Sequence, residues 1–128
     1  MPWTYSQTEC TLLDPTGAIA GKGYSGHDAG YNNHEAQNER DIGPTPVGQY
    51  QIGPSFRHPQ AGPVTMRLAP SPDTNTFGRD GFMIHGDSAD HAQNPGPQNS
   101  ISHGCIILAL NLRNAIDTSD DKVMVVTA

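Results

Sequence analysis

The sequence predicts a single domain that is made mainly of β-structure and is rich in loops. The chain has 128 residues, which is the size of one ordinary domain with one core. Its 14 glycines and 11 prolines are spread between short apolar runs, where they mark turns. This spacing is typical of a folded β-protein with many tight turns, and not of a disordered chain. We therefore expect one domain over residues 1–128.

The first 25 residues predict an amino-terminal hairpin or meander. Short β-type runs alternate with turn residues in "WTYSQTECTLLDPTGAIAGKGYSG", and Pro15 in "DPTG" occupies a position that favours a type I turn. Residues 26–43, "GHDAGYNNHEAQNERDIG", are polar, almost free of aliphatic side chains and longer than an ordinary connection. Loops of that length are often functional.

Strands and one helix are predicted after this loop. The strands cover "VGQYQI" (47–52), "VTMRLA" (64–69), the run that ends at His85, and the closing "KVMVVTA". Leu112, Ala115 and Ile116 have helical spacing. Between His85 and Cys105 lies a second polar loop, whose "NPGP" string prevents regular structure throughout. That loop can fold the two residues back together.

Charge and hydropathy exclude two classes of partner. The chain has 13 acidic and 7 basic residues, and the basic ones form no cluster, so charge favours neither nucleic acid nor an anionic membrane surface. No run approaches the roughly 18 apolar residues of a membrane span. The start, "MPWTYSQTEC", lacks the basic and apolar regions of a signal peptide. We expect no nucleic-acid partner, no membrane insertion, and synthesis in the cytoplasm without a signal peptide.

The string "ISHGCIIL" (101–108) places a cysteine directly after a glycine on a predicted turn. A thiol with a pKa of about 8.5 is a useful nucleophile at neutral pH only when a base or a positive field raises its thiolate fraction. His85, at the end of the strand in "GFMIHGD", is the candidate base. Gly104 allows the backbone to bend so that the N–H groups of Gly104 and Cys105 face a developing oxyanion. These residues have the elements of a Cys–His dyad.

Two other interpretations of these side chains stay open on the residues alone. Cys10 and Cys105 can form a disulfide, although a reducing compartment disfavours it, and Cys10 otherwise fits a small strand residue. Zinc is the second possibility, but the chain has no paired C-x-x-C or H-E-x-x-H spacing. The candidate zinc ligands, chosen because zinc accepts these side-chain types, are His85, Asp87, His91, His103 and Cys105.

Two ordered motifs resemble the signature of L,D-transpeptidase catalytic domains. His85, sixteen residues and then Ser102-His103-Gly104-Cys105 resemble the family's histidine followed by Ser/Thr-x-Gly-Cys. Upstream, "TPVGQYQI" (45–52) resembles its second motif, Thr-Pro-x-Gly-x-aromatic-x-Ile. The best match covers residues 40–127. The strings "GYSG", "GPVTMRL" and "NTFGRDGF" further resemble the L,D-transpeptidase-like effectors that bacterial type VI secretion systems deliver.

This resemblance implies a small β-sandwich or barrel-like fold with one or two short helices. It implies a cysteine enzyme without a cofactor that attacks the bond between the third-position diamino acid and the fourth-position D-alanine of peptidoglycan stems, as an L,D-transpeptidase or L,D-carboxypeptidase. A type VI secretion carrier would deliver it to the periplasm of target bacteria. A periplasmic immunity protein would protect the producer by filling the cleft between the 26–43 loop and the Cys105 turn. A zinc peptidase and a non-catalytic module that binds wall peptides remain the alternatives.

The resemblance also assigns roles to individual residues. Cys105 and His85 are the nucleophile and base, with Gly104 and His103 beside them in the turn. Family members usually carry an arginine two residues after the cysteine, where this chain has Ile107. The remaining candidates, for contact with substrate, are Arg79, Arg67, Ser102, Gly86 and Asp87. The histidines expected to be solvated loop residues are His27, His34, His58 and His91.

Overall fold

The computed structural model describes residues 2–128, which form nine strands and two short α-helices. The strands are β1 (Trp3–Ser6), β2 (Thr11–Leu13), β3 (Ile19–Ser25), β4 (Gly48–Ile52), β5 (Phe56–His58), β6 (Gly62–Pro70), β7 (Met83–His85), β8 (Ile106–Leu108) and β9 (Val123–Thr127). The helices are α1 (Ala89–Gln93) and α2 (Leu110–Thr118).

The sheet closes on itself into a barrel of eight strands. Neighbouring strands follow the order β4, β9, β1, β2, β3, β8, β7, β6, and β6 pairs again with β4. β5 pairs with β6 and extends the sheet beyond the ring. Closure gives each ring strand a partner on both sides and so removes open sheet edges. The mainly β, barrel-like fold with short helices that the sequence predicted is confirmed.

Side chains from alternate positions of the strands fill the interior of the barrel. On β1, Trp3 and Tyr5 are buried while the residues between and after them are partly exposed, as the two-residue period of a strand requires. Each fully buried large apolar side chain contributes about 1.5–3 kcal/mol to folding. The core cluster comprises Trp3, Tyr5, Leu12, Tyr50, Ile52, Met66, Leu68, Phe82, Ile84, Ile106, Leu108, Leu112, Ile116, Met124 and Val126.

α2 packs one apolar side against the barrel. Leu112 and Ile116, four residues apart on one helical face, are buried in the core cluster. Leu112 lies directly against Gly21 of β3, where a Cβ atom would stand 2.7 Å from the leucine Cδ1. The missing side chain at Gly21 therefore lets the helix approach the sheet closely. Within residues 2–128, neither helix is long and apolar enough to cross a membrane.

The 26–43 loop is folded back on itself. It contains two 3₁₀ turns, Asp28–Gly30 and His34–Ala36. The backbone N–H of His27 donates to the Ile42 carbonyl at 2.7 Å and closes the loop at its base. Gly26 has a φ of +97°, and a Cβ atom there would lie 2.1 Å from the Gly30 carbonyl oxygen. Both the dihedral angle and the space therefore require glycine at residue 26.

The predicted elements are present with small changes in their bounds. The amino-terminal meander is β1 to β3, and the strands expected over 47–52 and 64–69 cover 48–52 and 62–70. The sequence analysis did not predict β5, β8 or α1, because elements of three to five residues are too short to show an apolar period. α1 depends instead on a local cap, in which Ser88 Oγ accepts the backbone N–H of His91 at 3.1 Å.

We predict that Gly26→Ala lowers the free energy of unfolding by about 2–5 kcal/mol, because it adds a backbone clash to the strain of a positive φ. Gly17→Ala is the matched control, since Gly17 has a φ of +87° and nothing within 4 Å of its Cβ position. It should cost only the strain, about 1–2 kcal/mol. Urea denaturation followed by Trp3 fluorescence measures both. Equal losses would contradict the close packing of Gly26 on Gly30.

Candidate active site

Two adjacent parallel strands carry His85 and Cys105. β7 ends at His85, and Cys105 immediately precedes β8. The register pairs Ile84 with Ile106 and His85 with Ile107. Because side chains alternate along a strand, Ile84 and Ile106 point into the core, whereas His85 and Cys105 share the outer face. The strand pairing thus brings two reactive side chains together although a long loop separates them in sequence.

His85 and Cys105 line an open cleft of about 520 Å³. Its walls are the β5–β6 hairpin, the end of β7 with the residues that follow it, and the turn before β8. The lining residues are His58, Gln60, Ala61, Met83, His85, Gly86, Asp87, Ser88, Ile101, His103 and Cys105. None of these residues belongs to the 26–43 loop. The prediction that the cleft lies between that loop and the Cys105 turn is therefore wrong.

His85 is oriented by its own neighbour. It is 6% exposed, and its Nδ1–H donates to the Gly86 carbonyl at 2.9 Å, because a carbonyl can only accept. This bond leaves the lone pair of the neutral ring on Nε2. Burial lowers the pKa of His85 below its ordinary value, so the ring is neutral at pH 7 and able to accept a proton.

The Cys105 thiol is protonated in the resting site. Burial raises its pKa to about 11, and the nearby charge of Arg79 acts in the opposite direction. The Cys105 Sγ lies 3.9 Å from the Gly81 carbonyl oxygen, and in the described part of the chain no hydrogen bond joins it to His85. The enriched thiolate expected of the dyad is therefore not present at rest. Attack by the sulfur requires its proton to be removed in the same step.

Ser102 holds the turn before Cys105 together. It is fully buried, and its Oγ accepts the backbone N–H groups of Gly26 at 2.9 Å and Gly104 at 3.3 Å. The same hydroxyl donates to the Cys105 carbonyl at 2.6 Å. These bonds use the whole capacity of a serine hydroxyl, one donor and two acceptors. The structure therefore places Ser102 beneath the cleft, in contact with the turn.

Gly104 has a conformation and surroundings that require glycine. Its φ is +129°, and a Cβ atom there would lie 2.6 Å from the Arg79 Nη2. Its carbonyl accepts the hydroxyl of Thr45, and its N–H is directed at Ser102. Of the two N–H groups expected to face an oxyanion, the one on Gly104 therefore already has a partner within the turn.

The two candidate arginines do not line the cleft. Arg79 is 5% exposed, and its charge lies close enough to Cys105 to lower the pKa of the thiol. Arg67 is exposed on β6, with its guanidinium 4.7 Å from the ring centre of Phe56. Arg79, in contrast to Arg67, holds the loop region in place through hydrogen bonds. Its guanidinium donates to the carbonyls of Gln37, Gly43 and Pro44 at 2.5–2.9 Å.

Four further polar or backbone groups surround the pair. His103 is exposed, and its Nδ1 donates to the Asp41 carbonyl at 3.2 Å. Gly86 and Asp87 follow His85 along the same wall. His58 faces them from the β5–β6 hairpin and not from a solvated loop as expected. This wall could not be predicted from sequence, because the residues of the hairpin tip, Gln60 and Ala61 among them, belong to no motif and show no apolar period.

His91 is buried, contrary to the prediction that it is a solvated loop residue. It is 5% exposed, its Nδ1 donates to Asp87 Oδ2 at 2.7 Å, and its Nε2 lies 3.0 Å from the Tyr31 hydroxyl. Its ring packs on Tyr24 with centroids 4.0 Å apart. These four residues form a polar network next to the cleft. The other two histidines expected in solvent, His27 and His34, are half-buried and hydrogen-bonded.

The other interpretations find no matching geometry. Within residues 2–128, no three His, Cys, Asp or Glu side chains come together in a way that would hold a metal ion. Asp87 and His91 bond to each other, and His103 bonds to a backbone carbonyl. Cys10 and Cys105 are both free thiols, so the disulfide is not formed.

Comparison with known proteins gives one family and one fold. The family model described as the Tlde1 domain matches residues 20–127. No curated protein matches the chain in sequence. Among solved structures, the helical cell shape determining protein Pgp2 from Campylobacter jejuni is similar, with a TM-score of 0.57 and 21% identity. The similarity covers 97% of this chain and 46% of that protein, so this chain spans about half its length and shares its fold.

We predict that the rate at which iodoacetamide alkylates Cys105 rises through the alkaline range with a midpoint near pH 11, because the thiolate is the species that reacts. A Cys10→Ser background isolates the reaction, and mass spectrometry follows it from pH 6 upward. His85→Ala should leave the profile almost unchanged, since no hydrogen bond joins the two side chains at rest. A plateau reached below about pH 8 would show a preformed thiolate and contradict this account.

Proposed function

Because the chain belongs to the Tlde1 domain family, the L,D-transpeptidase-like effectors of type VI secretion systems, we propose that it is a cysteine enzyme acting on peptidoglycan stem peptides. The family membership that the motifs predicted is confirmed. One observation carries the proposed chemistry: His85 and Cys105 share the outer face of two paired strands and line one open cleft. A nucleophile and a base in that arrangement support acyl transfer.

The proposed reaction begins with a proton transfer. Nε2 of His85 removes the Sγ proton of Cys105 as the sulfur bonds to the carbonyl carbon of the third-position diamino acid. Collapse of the tetrahedral intermediate then breaks the C–N bond to D-alanine, and His85 returns the proton to the leaving amine. The products of this half-reaction are a thioester between Cys105 and the tripeptide stem, and free D-alanine.

The acceptor determines the second half-reaction. Water hydrolyses the thioester to a tripeptide and restores the thiol, which is L,D-carboxypeptidase activity. The amine of a free D-amino acid gives an exchanged tetrapeptide, and the amine of another stem gives a cross-link. The cleft is open to solvent, which gives both water and an amine access to the thioester.

Arg79 supplies positive charge where the reaction develops negative charge. Its guanidinium lies against Gly104. Its charge lowers the pKa of Cys105, whereas burial raises it. A preorganised charge of this kind stabilises a transition state without reorganising during the reaction. Ile107, at the position of the family's usual arginine, is 2% exposed, so this chain offers no cation there.

We predict that the enzyme converts purified disaccharide tetrapeptide into tripeptide and D-alanine. Cys105→Ala should abolish product, because the thioester cannot form. His85→Ala should lower kcat/KM by about 10²- to 10⁴-fold, the usual contribution of a general base. Chromatography with mass spectrometry measures the products.

Cys10→Ala is the matched control, since it removes the other free thiol and should retain full activity. Products that persist in Cys105→Ala would point to a different chemistry, such as a metal-dependent peptidase. A folded wild-type protein that leaves the tetrapeptide intact, with and without added D-amino acids, would rule out the proposed reaction.

We further propose that the protein acts in the periplasm of target bacteria after delivery by a type VI carrier. A producer that meets its own enzyme then needs an inhibitor in its periplasm. The rim of the cleft, formed by the β5–β6 hairpin and the Cys105 turn, is the surface that such an immunity protein would cover. Enzyme–inhibitor interfaces typically bury about 1,600 Å² in total, which is enough to exclude a stem peptide.

We predict that toxicity in a Gram-negative host requires both export and Cys105. The protein fused to an added signal peptide should lyse cells, whereas the unfused protein and exported Cys105→Ala should not. Exported Cys10→Ala serves as the control and should remain toxic. Co-expression of a small exported protein encoded beside this gene should relieve the toxicity and block alkylation of Cys105. Equal toxicity of the exported and cytoplasmic forms would count against a target in the cell wall.

A further inference from the structure

Asp87 gives the cleft one carboxylate, and the basic side chains on the lining are histidines. Of the residues that line the cleft, within the described part of the chain, Asp87 is the only acidic one, and no lysine or arginine is among them. Its side chain is 27% exposed, so solvent and ligands reach it. The exposed carboxylate is the group on this wall that would attract a positively charged part of a ligand.

The Asp87 carboxylate is held in a fixed orientation. Its Oδ1 accepts the Tyr24 hydroxyl at 2.7 Å and the backbone N–H of Ser88 at 2.8 Å. Its Oδ2 accepts Nδ1–H of His91 at 2.7 Å. A carboxylate offers about four acceptor positions, so these three donors orient the group and leave acceptor capacity on Oδ2.

His91 orients Asp87 and is itself held in place. The backbone N–H of Gly96 donates to His91 Nε2 at 3.4 Å, and a backbone N–H can only donate. Nε2 is therefore an acceptor, which the Tyr31 hydroxyl at 3.0 Å also contacts. The Nδ1–H of the ring is the group that donates to Asp87. Contacts on both ring nitrogens thus fix His91, and through it the position of the Asp87 carboxylate.

We propose that Asp87 binds the free side-chain ammonium of the third-position diamino acid. The inference rests on the proposed function, because that residue supplies the carbonyl that Cys105 attacks, and Asp87 follows His85 on the wall of the same cleft. A charge-assisted bond of this kind forms with an amine and not with an amide. The enzyme therefore selects stems in which the side-chain amine of the diamino acid is free. Stems in which a cross-link already acylates that amine keep their D-alanine.

The test uses two tetrapeptides that differ only in the side-chain amine of the third residue, one free and one acetylated. Wild-type enzyme should prefer the free amine by about 10- to 100-fold in kcat/KM, the range expected for a hydrogen bond between charged groups. Asp87→Asn should turn over the two substrates at similar rates. Asp90→Asn removes a nearby exposed carboxylate that does not line the cleft, and it should keep the wild-type preference.

The acetylated substrate separates recognition from a merely structural effect. The readout is the ratio of the two kcat/KM values within each variant, and a general loss of activity in Asp87→Asn leaves that ratio unchanged. Equal rates of the wild-type enzyme on both substrates would overturn the inference and leave the proposed function standing, and this comparison needs no variant to fold. A preference that survives in Asp87→Asn would overturn it as well. Turnover of neither substrate by wild type would overturn the proposed function, and this inference with it.

Discussion

The parallel pairing of β7 with β8 is the constraint on which the site depends. Ile84 and Ile106 lie side by side in the core, and their burial sets the register of the two strands. A slip by one residue would turn His85 and Cys105 inward and expose the two isoleucines. The hydrophobic core therefore determines which face the reactive side chains occupy, and the β7–β8 connection supplies part of the cleft wall.

The two sequence motifs are joined physically as well as by their order. Thr45, which begins the "TPVGQYQI" motif, donates its hydroxyl to the Gly104 carbonyl. Its backbone N–H donates to Ser25 Oγ at 2.9 Å, and that hydroxyl donates to the Cys105 carbonyl at 2.9 Å. The first motif thus supports the turn that presents the thiol. Their joint occurrence in one chain has a structural reason, because each lacks part of its hydrogen bonding without the other.

Periodicity and motifs predicted the features of this protein that follow from local sequence. Most of the barrel strands, α2, and the motif residues His85 and Cys105 have such signals, whereas β8 was not predicted. The β5–β6 wall with His58 does not, since a three-residue strand has no detectable period. The burial of His91 also escaped prediction, because it depends on Tyr24 and Tyr31 from a distant part of the chain. The protonated state of the Cys105 thiol depends on desolvation, which only the packed structure defines.

The barrel joins the two ends of the chain side by side. β1 pairs in parallel with β9, Trp3 beside Met124 and Ser6 beside Thr127, and β9 also pairs with β4. The last strand is thus inserted between two that precede it by most of the sequence. Contacts of such long sequence separation form late and slow the folding of β-proteins. Because β9 lies between β1 and β4, the ring of strands cannot close until residues 123–127 are available, and completion of the barrel depends on that segment.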